Sequence, residues 1–155
     1  AVLCLETVER KALATRLRVP SDCVDMARLL PMVLSAASQL SDMFRLGLPN
    51  APGERAVTGA QSDVLMDASR AQIVLSLFEA CDALRKPERF AALLQTACCM
   101  GDMTLAECET WQSWLQLVLA VDAGAAARTA GAPDQIKHTV RAARQQALQN
   151  HSSKR

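Results

Sequence analysis

Tyrosine is absent from these 155 residues, and the only aromatics are three Phe and two Trp. A buried core must therefore come mainly from Leu, Val, Met, Ala and Cys. Such a set suits helices, because Ala and Leu are the best helix formers. No segment alternates apolar and polar residues over a useful length, so the signature of half-buried strands is missing. No apolar run approaches the roughly 20 residues of a membrane span. G-x-S-x-G, a Gly-rich phosphate loop and H-E-x-x-H are all absent, which removes the usual nucleophile, nucleotide and metalloprotease signatures. The six cysteines stand at 4, 23, 81, 98, 99 and 108 and form no C-x-x-C pair. His138 and His151 lie far from all of them in sequence, so the spacing offers no zinc site. Excess charge of either sign is lacking too. A net charge of +1 creates no global field for an acidic partner.

What is present is a globular composition, half apolar and 21% charged. The length fits one domain, or one with an appendage, and can bury roughly two-thirds of the unfolded surface. The opening Ala1-Val2-Leu3-Cys4-Leu5 is too short and wrongly flanked for a secretory signal. It reads as the start of a piece of a longer chain, or of one that has lost its initiator Met. Cys81, Cys98 and Cys108 fall at apolar helical positions. They read as reduced thiols of a cytoplasmic protein.

Periodicity predicts an all-α fold, an irregular bundle of about six to eight helices. The first spans about 5–17 and is stopped by Pro20. A second starts at Ser21-Asp22, is expected to break or kink at Pro31, and resumes to about Leu46. Residues 47–62 are punctuated by Gly47, Pro49, Pro52, Gly53 and Gly59 and read as a linker. They would separate a lobe of 1–46 from one of 63–155. A helix from about 69 to 84 carries Ile73, Val74, Leu77, Phe78, Cys81 and Leu84. Pro87 opens the next, which Gly101 ends. Thr104 and Glu107 form a capping-box pattern before Trp111, Trp114, Leu115, Val118 and Leu119. A short Ala-rich helix of about 123–130 follows. The last begins at Pro133-Asp134, turns Ile136, Val140, Ala143, Ala147 and Leu148 inward, and frays from Gln149.

Each candidate chemical group has a plain structural alternative. Asp22, Asp25, Asp63 and Asp67 sit at helical spacing, where paired carboxylates can bind Mg²⁺ or do acid–base work. They read more simply as caps and solvated faces, since no His or Lys partner is near in sequence. A Cys nucleophile would need His138 brought to it by the fold. The basic residues are more suggestive. Lys137, Arg141 and Arg144 share one helical stripe, which can neutralise phosphates or serve as a solvated helix face. Arg85, Lys86 and Arg89 crowd a helix–helix corner. There they can grip carboxylate or phosphate groups, or brace the corner through an Arg–Glu pair.

That corner reads Cys81-Asp82-Ala83-Leu84-Arg85-Lys86-Pro87-Glu88-Arg89-Phe90, followed by Leu93-Leu94-Gln95-Thr96-Ala97-Cys98. It resembles a segment of bacterial CCA-adding tRNA nucleotidyltransferases. Arg16-Leu17-Arg18-Val19-Pro20 with Asp22-Cys23 looks like the helix pair before it in that family. Val121-Asp122-Ala123-Gly124, then Gly131, Pro133, Ile136, Arg141, Ala143-Arg144 and Ala147-Leu148, looks like its closing helices. The three pieces keep the family's order and cover about two-thirds of the chain.

The resemblance implies a helical C-terminal region that partly overlaps a metal-dependent HD phosphohydrolase domain. The catalytic head of the family, which uses Mg with ATP and CTP, has no counterpart here. No cofactor is expected in this chain, and CCA addition by it alone is implausible. In the register set by Arg16–Pro20, the metal-binding residues of an HD site fall at Val2, Leu3, Leu34 and Ser38. None of these can replace an imidazole ligand, so the first lobe reads as a degenerate HD domain. After Cys98 the family's acidic–arginine run shrinks to Asp102. The expectation is a cytoplasmic tRNA-binding module without catalysis of its own. Arg85, Lys86, Arg89, Lys137, Arg141 and Arg144 are the candidate RNA contacts. The partners would be tRNA and a nucleotidyltransferase head or another protein, with no membrane. The alternatives are a helical scaffold for a protein partner that has lost RNA binding and, more weakly, an active HD phosphatase or phosphodiesterase.

Overall fold

The computed structural model describes residues 7–47 and 67–152. The expected linker beyond Gly47, and with it Asp63, lies outside the described residues, as do Val2, Leu3 and Cys4. Among the described residues, seven α-helices run in the order α1 (Thr7–Arg16), α2 (Ser21–Gly47), α3 (Ala68–Ala80), α4 (Pro87–Met100), α5 (Leu105–Leu119), α6 (Ala123–Arg128) and α7 (Ile136–Ser152). A 3₁₀ turn at Pro133–Gln135 leads into the last. There is no strand among the described residues, and the fold is all-α.

Three helices stop by the same local device. In each, a residue with positive φ just past the end turns the chain so that late carbonyls are satisfied. After α1 it is Arg18 (φ 52°), with Arg18 N–H donating to Thr15 O and Val19 N–H to Ala14 O. The chain thus turns before Pro20, the expected stop. After α3 it is Asp82 (φ 53°), where Asp82 N–H reaches Glu79 O at 3.1 Å and Ala83 N–H reaches Phe78 O at 2.8 Å. After α4 it is Gly101 (φ 79°), the one position of the three where glycine removes the Cβ clash. The Asp82 turn corrects one expectation. α3 ends at Ala80, not near Leu84, so Arg85 belongs to the connection and Lys86 to the N-cap of α4, and neither to the end of α3.

Pro31 does not break its helix, the first of the two outcomes expected there. It stands inside α2, which continues unbroken to Gly47. Proline takes one N–H out of the helical ladder, but Leu29 and Leu30 before it and Val33, Ala36 and Leu40 after it are all buried. Burial of that stripe outweighs the missing bond. The capping box forms as expected: Thr104 N–H donates to Glu107 Oε2 at 2.7 Å, and Glu107 N–H donates to Thr104 Oγ1 at 3.2 Å. α6 is shorter than expected and ends at Arg128. On α7, Leu148 is fully buried, whereas Ile136 is exposed. The helix continues past Gln149 to Ser152.

α2 packs on α3 and α4, α4 on α5, and α7 on α3, α5 and α6, while α1 touches α2. Side chains from both expected lobes meet in one buried cluster, from Leu29 and Val33 through Phe78 and Phe90 to Leu148. At its centre four aromatics stack edge to face. Phe78 meets Phe90 at 5.2 Å and Trp111 at 6.1 Å, and Trp111 meets Trp114 at 5.2 Å. This arrangement suits the ring quadrupoles.

Candidate nucleic-acid interface

The connection from Cys81 to Lys86 is built as two consecutive turns. After the Asp82 reversal, Arg85 and Lys86 N–H both donate to Asp82 O, at 3.2 and 3.0 Å. Pro87 then starts α4, where its missing N–H costs nothing. Within these turns Ala83 is buried and the two cations face outward. Arg85 is 80% exposed and only loosely paired with Asp82 at 3.8 Å. Lys86 is exposed as well.

Arg89, in the first turn of α4, behaves differently. Its side chain is only 24% exposed. Nη2 donates to the backbone carbonyl of Cys81 at 2.6 Å, and Nη1 reaches Asp25 Oδ2 of α2 at 3.5 Å. The corner is therefore braced, though by a carbonyl and an Asp 64 residues away rather than by an Arg–Glu pair.

The α7 stripe is also divided. Arg141 Nη1 donates to Glu79 Oε2 at 2.6 Å and Nη2 to Ser76 Oγ at 3.0 Å. Gln145 Nε2 donates to the Ala68 carbonyl at 3.1 Å. Rising numbers on α7 meet falling numbers on α3, so the two helices are antiparallel. Lys137 stands about one turn before Arg141, toward the end of α3 from which the 81–86 connection leaves. Lys137 is exposed. Arg144 is half-buried, and its Nε is enclosed. The structure thus gathers Arg85, Lys86 and Lys137 at one end of the bundle. It commits Arg89 and Arg141 largely to partners within the chain.

One further cation belongs to this end. Arg28 of α2 is 60% exposed and pairs loosely with Asp25 at 3.7 Å. With Arg89, it lies close enough to Cys81 for its charge to act on the thiol. The i,i+3 spacing of Asp25 and Arg28 was its only sequence signal, and nothing in it pointed to the 81–86 connection. The acids present here are Asp25, Glu79, Asp82 and Glu88. Beside the connection, α4 and α5 enclose an open groove of about 310 Å³ lined by Pro87, Glu88, Ala91, Gln112, Leu115 and Gln116.

The other candidates take ordinary places. Asp67 caps α3 by accepting from Arg70 N–H at 2.8 Å, and Asp22 lies in the first turn of α2. His138 is exposed on α7. Leu34 packs against the core and Ser38 faces outward. Among the described residues, no group of three or more His, Cys, Asp or Glu side chains could hold a metal ion. No described helix is long and apolar enough to cross a membrane. Lys154 and Arg155 fall outside the described residues.

Fold and site together define an all-helical module with a cationic end built on the 81–86 turn. Comparison with known proteins identifies relatives of the chain. The chain is 42% identical over 149 residues to the CCA-adding enzymes of Bordetella pertussis and Bordetella bronchiseptica, a match covering 96% of this chain and 32% of each enzyme. It is 31% identical over 141 residues to the multifunctional CCA protein of Aromatoleum aromaticum, covering 86% of this chain and 28% of that protein. The chain thus spans about a third of the length of these relatives. Over nearly its whole length it is a homologue of part of the bacterial CCA-adding enzymes. No protein-family model matches the chain, and no solved structure does.

Proposed function

We propose that the chain is a tRNA-supporting helical module of the CCA-adding enzyme type, without catalysis of its own, and that its 81–86 turn faces RNA phosphates. The observation that carries this reading is the relationship to CCA-adding enzymes over nearly the whole chain, including the Arg85–Phe90 segment. Exposure of Arg85, Lys86 and Lys137 at one end gives it a surface. Phosphate neutralisation needs cations free to leave water-exposed positions, and these three have weaker internal commitments than Arg89 and Arg141. Arg144 contributes less, because its guanidinium is partly enclosed. The degenerate-HD derivation of the first lobe belongs to the same proposal and rests on the register that places Leu34 and Ser38 at metal-ligand positions. The scaffold reading draws on Val8, 79% exposed on α1, and Leu17, 61% exposed after it. These side chains suit a protein partner.

The test is a titration of the chain with a tRNA transcript across a salt series. Binding that weakens with salt is expected, with the log–log slope falling by roughly 0.7–0.9 for each phosphate contact removed in Lys86→Ala and Lys137→Ala. No binding at low salt would sink the RNA reading and leave the scaffold.

A further inference from the structure

Arg89 is one of the candidate RNA contacts of its motif, yet its geometry is that of a strut. Its guanidinium joins three elements: α4, which carries it; the C-cap residue of α3, through the Cys81 carbonyl at 2.6 Å; and α2, through Asp25 at 3.5 Å. The Cys81 carbonyl sits just before the left-handed Asp82, among the last carbonyls of α3, which find no partner in the helix itself. A charged donor on that oxygen is a strong hydrogen bond. It pins the point from which the chain turns toward Arg85 and Lys86. Nε of Arg89 lies buried, so the side chain is enclosed up to its fork, which the Cys81 carbonyl and Asp25 orient.

We infer that Arg89 is a positioning residue. It fixes the 81–86 turn in the shape that presents Arg85 and Lys86, and it does not itself contact RNA phosphate. Asp25 is the second half of the device, orienting the fork from α2. A flexible corner would still carry both cations, but binding would have to order it first, which lowers affinity without removing a charge contact. The inference rests on the RNA reading of the turn, and its physical core can be measured without RNA.

Two readouts separate the possibilities, each taken on Arg89→Gln, Asp25→Asn and Lys86→Ala in the full chain. The first is amide hydrogen exchange at Ala83, Arg85 and Lys86, whose N–H groups close the turn. The second is the salt slope of binding to a tRNA transcript. Arg89→Gln is expected to accelerate exchange at these amides selectively. It should weaken tRNA binding about three- to tenfold with the wild-type salt slope, while Lys86→Ala lowers the slope and leaves exchange unchanged. Asp25→Asn should move exchange in the same direction by less. If Arg89→Gln lowers the slope as Lys86→Ala does and leaves turn exchange unchanged, Arg89 is a phosphate ligand and the inference is overturned. If the chain binds no tRNA, the functional proposal fails, and exchange alone decides the role of Arg89. Should Arg89→Gln not fold, Arg89→Lys keeps one donor for the Cys81 carbonyl but loses the fork. It is then expected to show an intermediate exchange rate, and a wild-type rate would overturn the inference.

Discussion

Cys81 and Cys108 are buried and Cys23 and Cys99 exposed, all as free thiols. Burial pushes the Cys81 thiol above the ordinary value of 9.0, against the opposing charges of Arg89 and Arg28. Burial also raises Cys108, with Cys98, Glu107 and Glu109 adding to the effect. Both thiols therefore stay protonated in the fold at a pH where the unfolded chain releases the proton. The unfolded state then binds fewer protons at these groups, so their contribution to stability should be constant below about pH 9 and fall as pH rises above it. Thermal melts at pH 7 and pH 10 check this, and Cys81→Ala should flatten the difference. A short exposure to iodoacetamide at pH 8 should label Cys23 and Cys99 well before Cys81 or Cys108, read by peptide mass spectrometry. Asp82 offers a third residue-scale test. Its left-handed backbone is strained for any residue with a Cβ, and its pairing with the exposed Arg85 is worth little. Asp82→Gly is expected to stabilise by about 0.5–1 kcal/mol in urea unfolding. Reading Arg89 and Arg141 as RNA contacts was reasonable from sequence, because their partners Asp25 and Glu79 lie more than sixty positions away. Only the fold shows where those guanidinium groups are directed.

Where a helix is stopped by residues adjacent in the chain, the sequence was readable. Gly101 and the Thr104–Glu107 box are local chemistry and stand where expected. Thr104→Ala should cost about 1 kcal/mol, chiefly by freeing the first turn of α5. Pro31 shows the opposite case. Its local chemistry argues for a break, and the apolar stripe on either side overrides it through contacts with α3 and α4 that no window of sequence contains. Pro31→Ala restores an N–H to the ladder without touching that stripe, and is expected to stabilise α2 by about 1–3 kcal/mol. Loss of stability would instead mean that the proline shapes a bend the packing requires. The early end of α3 belongs with Pro31: apolar periodicity continued through Leu84, while one positive φ at Asp82 had already turned the chain.

At the scale of the molecule, the helical class followed from composition and period, but the sharing of one core did not. A polar Gly/Pro stretch invites a division into lobes. The burial of Leu29, Leu30 and Val33 against α3 and α4 joins the described parts across it. Phe78→Ala should therefore damage the whole assembly, at about 3–5 kcal/mol, a large share of the 5–15 kcal/mol typical of a domain. The candidate surface was half visible in the same sense: its cations are local to the Arg85–Phe90 segment, whereas the approach of Arg28 and Lys137 depends on tertiary packing. The aromatic cluster has one more consequence. Both tryptophans of the chain lie in it, edge to face on α5, and the chain contains no tyrosine to obscure them. Their ultraviolet emission and coupled circular dichroism are thus a built-in optical gauge of this one site. A melt followed by these signals reads the α3–α5 junction, and any unravelling of α1 that leaves the junction intact will pass in the dark.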